Sequence, residues 1–375
     1  MNEGLGLRIL SEIMAWDDDQ ARREFSWLRL MSKLKYDGYR DFQAGMRFIE
    51  SLGTWLQQFD PSERPTAYAF VRQSLIYVGQ AEMNRLVEQF YPSVVRERII
   101  SMVAAEKGIP RYRVWADSDA RDAADRLRRQ TLFMGLSDGA RIDGIRHSNV
   151  GILTNEQFVL ATQLDEDKWQ DLIDDLRKDL KDPDAQFRLV YLIDDFVGTG
   201  TSFHRWNEKK QKWSGKLSRF KESLENVVGA LSAKVLSPDW ELCVHHYIAT
   251  HAGAGEMVRR VGDAKDALKT EGWTETINFS FGAVLPQDLP VDKSPAPFEG
   301  FIALTQKYYD PKIQTEHTDV GGVEHLGLGY GGCALPLVLE HNTPNNSVAI
   351  LWAETEGGEA TPAMRPLFRR RQRHS

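Results

Sequence analysis

The chain has 375 residues, 42% hydrophobic and 27% charged, an ordinary balance for a soluble globular protein and long enough for two or three domains. A formal charge of −7 excludes a whole-molecule electrostatic footprint for nucleic acid and leaves only local basic patches for that purpose. With two cysteines, Cys243 and Cys333, both in apolar runs and read as buried thiols, there is no disulfide framework and no metal-ligand spacing. The absence of a basic leader and of any apolar run of about 18 residues sets the expectation of a cytoplasmic protein with no membrane partner.

Residues 1–107 read as helical. Phe42, Met46, Ile49, Leu52, Leu56 and Phe59 follow the helical period until Asp60-Pro61-Ser62 interrupts it, and 70–78, 82–91 and 94–103 continue in short helices with Pro92 at a boundary. No cluster of catalytic residue types falls here, so the region is expected to be an interaction surface or a helical wrap. Gly108-Ile109-Pro110 marks the expected start of a second domain, 108–360, and residues 361–375 form a basic tail. Within the second domain a helix over 119–129 precedes a strand over 131–136 and the turn Ser137-Asp138-Gly139-Ala140-Arg141. Gly139 there permits close backbone approach and Arg141 offers a bidentate clamp for phosphate oxygens; the alternative is a plain β-turn with an exposed Arg. Arg146, His147 and Asn149 follow where a catalytic lid would lie. A charged amphipathic helix over 165–180 presents Trp169, Leu172, Ile173, Leu176 and Leu180, and Pro183 ends it.

The next segment is the most informative. Leu189-Val190-Tyr191-Leu192-Ile193 reads as a buried parallel strand, with Asp194 and Asp195 at its carboxyl end and the loop Gly198-Thr199-Gly200-Thr201-Ser202 feeding a probable helix. Ligands of open α/β sheets bind outside the carboxyl ends of strands. Backbone amides at a helix start favour phosphate, and adjacent carboxylates grip vicinal hydroxyls directly or through hydrated Mg²⁺. One loop thus offers a phosphate cradle beside a ribose grip. The insertion 204–221 interleaves Trp206 and Trp213 with Arg205, Lys209, Lys210, Lys212, Lys216, Arg219 and Lys221; it reads as a solvated hairpin, a flap, or a single-strand nucleic-acid surface. A helix over 218–231 and a strand over 240–248 follow, and then Thr250-His251-Ala252-Gly253-Ala254-Gly255-Glu256. Val258 stands where a third glycine would complete a dinucleotide fingerprint, so His251 is read as lining an acceptor pocket or as a surface residue. Further β-like runs over 276–285, 333–340 and 347–352 complete an alternating pattern that predicts a parallel α/β sheet. Between the last two runs lies Glu340-His341-Asn342-Thr343-Pro344-Asn345-Asn346-Ser347, either a turn network or a hood over an acceptor base.

The segment Leu189 to Ser202 resembles the phosphoribosyl pyrophosphate signature of type I phosphoribosyltransferases: apolar strand, two acids, two apolar residues, then a Thr/Gly-rich turn. The segments Gly329-Tyr330-Gly331-Gly332-Cys333, Glu340 to Ser347 and Leu351-Trp352, with Ser137 to Asp143 and Glu82 to Leu86, are similar to the phosphoribosyltransferase-like proteins of prokaryotic conflict systems, over roughly 68–368. The resemblance implies an α/β fold, a phosphoribosyltransferase-like parallel sheet flanked by helices with an N-terminal helical region. It implies that Asp194 and Asp195 hold ribose hydroxyls and Gly198, Thr199, Gly200, Thr201 and Ser202 hold the 5′-phosphate, with Ser202 standing where the family often has Thr. Ser137, Asp138, Gly139 and Arg141 would seat pyrophosphate, and His251, His341, Asn342 and Asn345 would border the acceptor. Mg²⁺ would arrive with the ligand, held by Asp194 and Asp195 if by protein at all. The expected role is in bacterial antiphage defence beside a protein partner from the same operon.

Two functions follow from one pocket. The first is an enzyme, a glycosyltransferase or a ribosyl-bond hydrolase. The second is a catalytically inactive module that senses phosphoribosyl pyrophosphate or a nucleotide and signals to a partner. A turn 137–141 facing away from Asp195 would leave pyrophosphate without a seat and favour the second. A third reading, a nucleic-acid-binding component, rests on 204–221.

Overall fold

The computed structural model describes residues 3–160, 165–228, 235–264, 277–293, 299–315, 318, 320–359 and 361–370. The chain divides into two units, Met1–Glu82 with Pro286–Ser375, and Met83–Leu285. The boundary expected at Gly108 is therefore replaced by a discontinuous first unit. Its cause is a pairing invisible to local periodicity, described below.

The first unit opens with helices α1 (Glu3–Met14), α2 (Asp18–Leu34), α3 (Phe48–Gln57) and α4 (Arg64–Gln73). Asp17 caps α2 by accepting from Gln20 N at 2.8 Å. The 42–59 periodicity is helical only from Phe48, and 70–78 ends not as helix but as strand β1 (Ile76–Val78). Ile76-Tyr77-Val78 is β-branched and aromatic, and it finds a partner at the far end of the chain.

The second unit begins within α5 (Gln80–Phe90), which runs through a π-helical turn, Tyr91–Val95, into α6 (Arg96–Lys107). Pro92, expected at a helix boundary, sits instead in the first positions of that turn, where a wider helix tolerates a missing N–H. Then come α7 (Ser118–Arg129), β2 (Thr131–Gly135), α8 (Ile142–Ser148), β3 (Phe158–Leu160), α9 (Glu166–Leu180), β4 (Phe187–Val197), β5 (Arg205–Asn207), β6 (Lys212–Ser214), α10 (Lys216–Val228), β7 (Leu236–Thr250), α11 (His251–Asp263) and β8 (Ile277–Leu285). Asp117 and Asp165 cap α7 and α9. The part of the expected 218–231 helix beyond Val228, and residue 276 of the last β-like run, lie outside the described residues.

Among the described residues the main sheet has the order β3-β2-β4-β7-β8, all parallel. From β2 the chain first steps to one side, to β3, then crosses to the other, to β4. The order therefore reverses between β2 and β4, where open α/β sheets hold their ligands. β4 is central, as its apolar run predicts: Leu189, Val190, Leu192 and Ile193 are fully buried. On one face Trp169, Leu172, Ile173 and Leu176 of α9 pack with Leu132, Val190, Leu192 and Val244. No described helix is long and apolar enough to cross a membrane.

The chain then returns to the first unit with α12 (Glu299–Lys307) and β9 (Leu337–Leu339), which pairs in parallel with β1, Ile76 opposite Leu337 and Val78 opposite Leu339. Of the expected 333–340 run only these three residues are strand, and the expected strand over 347–352 is a 3-10 turn, Ala349–Leu351. Both runs are apolar because they are buried on every side, a pattern that does not separate strand from coil. Cys333 is half-buried rather than core and its sulfur lies 3.3 Å from the Asn346 amide. Of the basic tail, Arg369 pairs with Glu354 and Arg370 lies over Trp352; residues 371–375 lie outside the described residues.

Candidate functional site

β4 continues through both acids to Val197, so Asp194 and Asp195 belong to the last turns of the pleat rather than to a loop beyond it. Successive strand residues face opposite sides, and the two acids differ accordingly. Asp194 is 2% exposed, opposite His246 of β7. Its carboxylate accepts from Ser137 Oγ and is ion-paired with Lys216 Nζ, and His246 Nε2 stands 4.0 Å away. Burial holds the His246 imidazole neutral, its pKa pushed down to about 4, although Asp194 pulls the other way. Asp194 is thus an internal anchor, tying the turn after β2 to the start of α10. Asp195 is half-buried and lies against the other loop: a Cβ placed on Gly139 would stand 2.5 Å from Asp195 Oδ2. Only glycine lets the backbone of that turn come so near.

The turn itself is a 3-10 element, Asp138–Ala140, capped by Ser137, whose Oγ accepts from Gly139 N at 3.2 Å. Tyr247 of β7 donates its hydroxyl to Ala140 O at 2.8 Å, and burial keeps that hydroxyl protonated. Arg141 is held in the left-handed region, φ 49°, with Nη1 3.5 Å from Asn84 Oδ1. The turn therefore faces Asp195 and does not point away from it. Beyond it, Arg146 pairs with Asp143 at 3.0 Å, His147 is exposed, and Asn149 binds Ile145 O at the end of α8.

Residues 198–202 follow β4. Thr199 and Thr201 hydroxyls lie 2.9 Å apart. Thr250, the N-cap of α11, donates to Gly198 O at 2.6 Å and accepts from Gly253 N at 2.8 Å, so one hydroxyl ties the loop to a helix start. His251 is exposed in the first turn of that helix. The loop does not feed α10 directly, as expected from sequence; the β5–β6 hairpin stands between them. The helix nevertheless starts beside the loop, because Lys216 N donates to Ser202 O at 3.0 Å. Ser137, Gly139, Asp194, Asp195 and the 198–202 loop thus meet at the reversal of strand order. Tyr247 and Thr250 complete the arrangement with Lys216, which the sequence marked only as one of the basic residues of the 204–221 insertion. Thr250 alone carried a signal, a Thr just before a helix with Gly three residues on.

His341, Asn342 and Asn345 belong to the first unit. There Glu340 is 1% exposed and pairs with Arg40 at 2.8 Å, with His341 Nδ1 3.7 Å from its carboxylate. Thr343 Oγ1 donates to Phe368 O, Asn346 Nδ2 to Tyr330 O and Ser347 Oγ to Leu337 O, while Asn345 O accepts from Tyr330 N at 2.7 Å. This segment is an internal hydrogen-bond network that closes the unit's C-terminal motif.

Among the described residues no group of three or more His, Cys, Asp or Glu side chains could hold a metal ion. A family model described as PRTase-CE matches residues 52–370. No curated protein and no solved structure matches the chain significantly.

Proposed function

The chain belongs to the PRTase-CE family of phosphoribosyltransferase-like proteins, and from that premise we propose that it binds a ribose phosphate of the phosphoribosyl pyrophosphate or nucleotide type, with Mg²⁺, and transfers or cleaves the ribosyl bond within a bacterial antiphage defence system. The observation that supports this most is the approach of Gly139 to Asp195, 2.5 Å from a Cβ position to Oδ2. It puts a glycine turn and a carboxylate around one point, with the 198–202 loop three residues further along the chain.

In this reading Asp195 accepts hydrogen bonds from the ribose hydroxyls, and the amides and hydroxyls of Gly198 to Ser202 take the 5′-phosphate. The Ser137 to Arg141 turn offers bare backbone at Gly139 and a cation at Arg141 to the departing pyrophosphate as positive charge grows on the ribosyl ring. Asp194 acts through others, holding Ser137 and Lys216. Being committed to them, it is a poor metal ligand, which leaves Asp195 as the protein carboxylate toward a Mg²⁺ carried on phosphate oxygens. Bound there, Mg²⁺ would neutralise the phosphates. His251, exposed in the first turn of α11, remains the acceptor-side candidate of this unit. The defence setting rests on the likeness of the 329–352 segment to conflict-system proteins, which also supports a partner encoded nearby.

The chain, with the products of its neighbouring genes, Mg²⁺ and phosphoribosyl pyrophosphate, is expected to release pyrophosphate. Binding without release in any combination would reduce the reading to a sensor; neither binding nor release would overturn it.

A further inference from the structure

The hairpin between the 198–202 loop and α10 is a detour that the sheet does not need. Lys216 N donates to Ser202 O and Leu217 N to Phe203 O, each at 3.0 Å, so the helix resumes where the chain departed. At Gly215, φ 132°, a Cβ would stand 2.4 Å from Phe203 O; the two ends of the excursion touch. A strand pair that contributes nothing to helix or sheet continuity is free to carry a separate site.

Its chemistry is aromatic. Trp206 pairs with Trp213 across the hairpin, ring centroids 5.8 Å apart at 73°, and Trp213 lies flat on His204 at 4.5 Å and 10°. With Leu217, Ser218 and Lys221 of α10 these residues border a cleft of about 330 Å³, the size of a small-ligand site. Trp206 keeps 41% of its surface exposed, whereas His204 is 1% exposed. Among the described residues neither His204 ring nitrogen has a hydrogen-bond partner, and the Ser218 hydroxyl has none. Buried polar atoms are seldom left unpaired, so His204 and Ser218 hold unmet hydrogen-bonding capacity just behind the wall of this cleft. Burial, with Arg260 and Lys221 nearby, pushes the His204 pKa down to about 4, so the neutral ring offers one nitrogen of each kind. The charges on the rim cancel, Lys212 against Glu222 at 3.4 Å and Lys221 against Glu225 at 3.6 Å. Nothing in this balance attracts a phosphate; it suits a flat, neutral heterocycle with hydrogen-bonding edges.

We propose that the cleft between the β5–β6 hairpin and α10 is a nucleobase-binding site, with the base stacked on Trp206 and its polar edge toward His204 and Ser218. The base could come from a free nucleoside or from a single strand, for which exposed Lys209 and Lys210 at the hairpin tip would supply backbone contacts. The site is independent of the ribose-phosphate reading, because a nucleoside carries no phosphate.

Calorimetric titration of the full chain with the four ribonucleosides, and with ten-nucleotide single strands of the same bases, tests it. Saturable binding of at least one base is expected. Trp206→Ala should weaken it about fivefold to 150-fold, and His204→Phe, which keeps the stack on Trp213, should weaken it at least severalfold with an unchanged or higher melting temperature. Binding of strands but not nucleosides identifies nucleic acid as the source, and equal binding per base identifies the nucleoside. No binding of either, or binding unaltered by both substitutions, overturns the proposal.

Discussion

Lys216→Met is expected to destabilise the protein by about 3–5 kcal/mol, the usual effect of removing one partner from a buried ion pair. The pair is well placed for so large a loss. The Asp194 side chain is 3% exposed and that of Lys216 19%. The bare carboxylate would have to take up a proton or draw in water. Asp194→Asn combined with Lys216→Met should recover most of the loss, because the double change removes both charges and leaves an amide beside Ser137. Denaturant unfolding of the four proteins of the cycle measures the coupling directly. A Lys216→Met protein as stable as the parent would mean that the ion pair contributes nothing.

Gly253→Ala should cost about 1–3 kcal/mol, the range for overpacking a filled interior, and should also cripple ligand binding. The new methyl would stand 2.4 Å from Gly198 O and 2.9 Å from Thr250 Oγ1, the two groups that dock the 198–202 loop on α11. Backbone is in the way, not the flexible end of a side chain, so the loop must move. Two residues on, Gly255 has nothing within 4 Å of its Cβ position and lies inside the same helix. Gly255→Ala should therefore stabilise, by about 0.4–1 kcal/mol. Urea unfolding and a phosphoribosyl pyrophosphate titration of both variants check the contrast. Equal behaviour of the two would contradict the docking.

What the sequence disclosed, and what it hid, divides along physical lines. The run Leu189 to Ile193 is apolar because both faces of a central strand are covered, so its position in the sheet was readable from the residues alone. The apolar face of α9 was readable from its helical period alone. Pairings between distant segments were not. The parallel contact of Ile76–Val78 with Leu337–Leu339 joins the two ends of the chain into one unit, and no periodicity in either segment announces it. The same holds inside the candidate site. Two adjacent acids look equivalent in sequence, yet the pleat turns them apart, and Asp194 finds Lys216 only because a hairpin folds out of the way. Gly139 was legible as a glycine of close approach; that the approach is to Asp195 was not. Apolar runs buried on all sides, as at 347–352, read as strand and fold as a 3-10 turn.

We propose that Asp195, the turn after β2 and the 198–202 loop form one ribose-phosphate site. Calorimetric titration of the intact chain with phosphoribosyl pyrophosphate in the presence of Mg²⁺, beside an Asp195→Asn variant, tests it most directly. Saturable one-site binding to the parent is expected, with an affinity lower by roughly tenfold to 150-fold in the variant, the worth of one charge-assisted hydrogen bond, and with melting temperatures alike. No heat of binding to the parent, or equal affinity in both proteins, would contradict it.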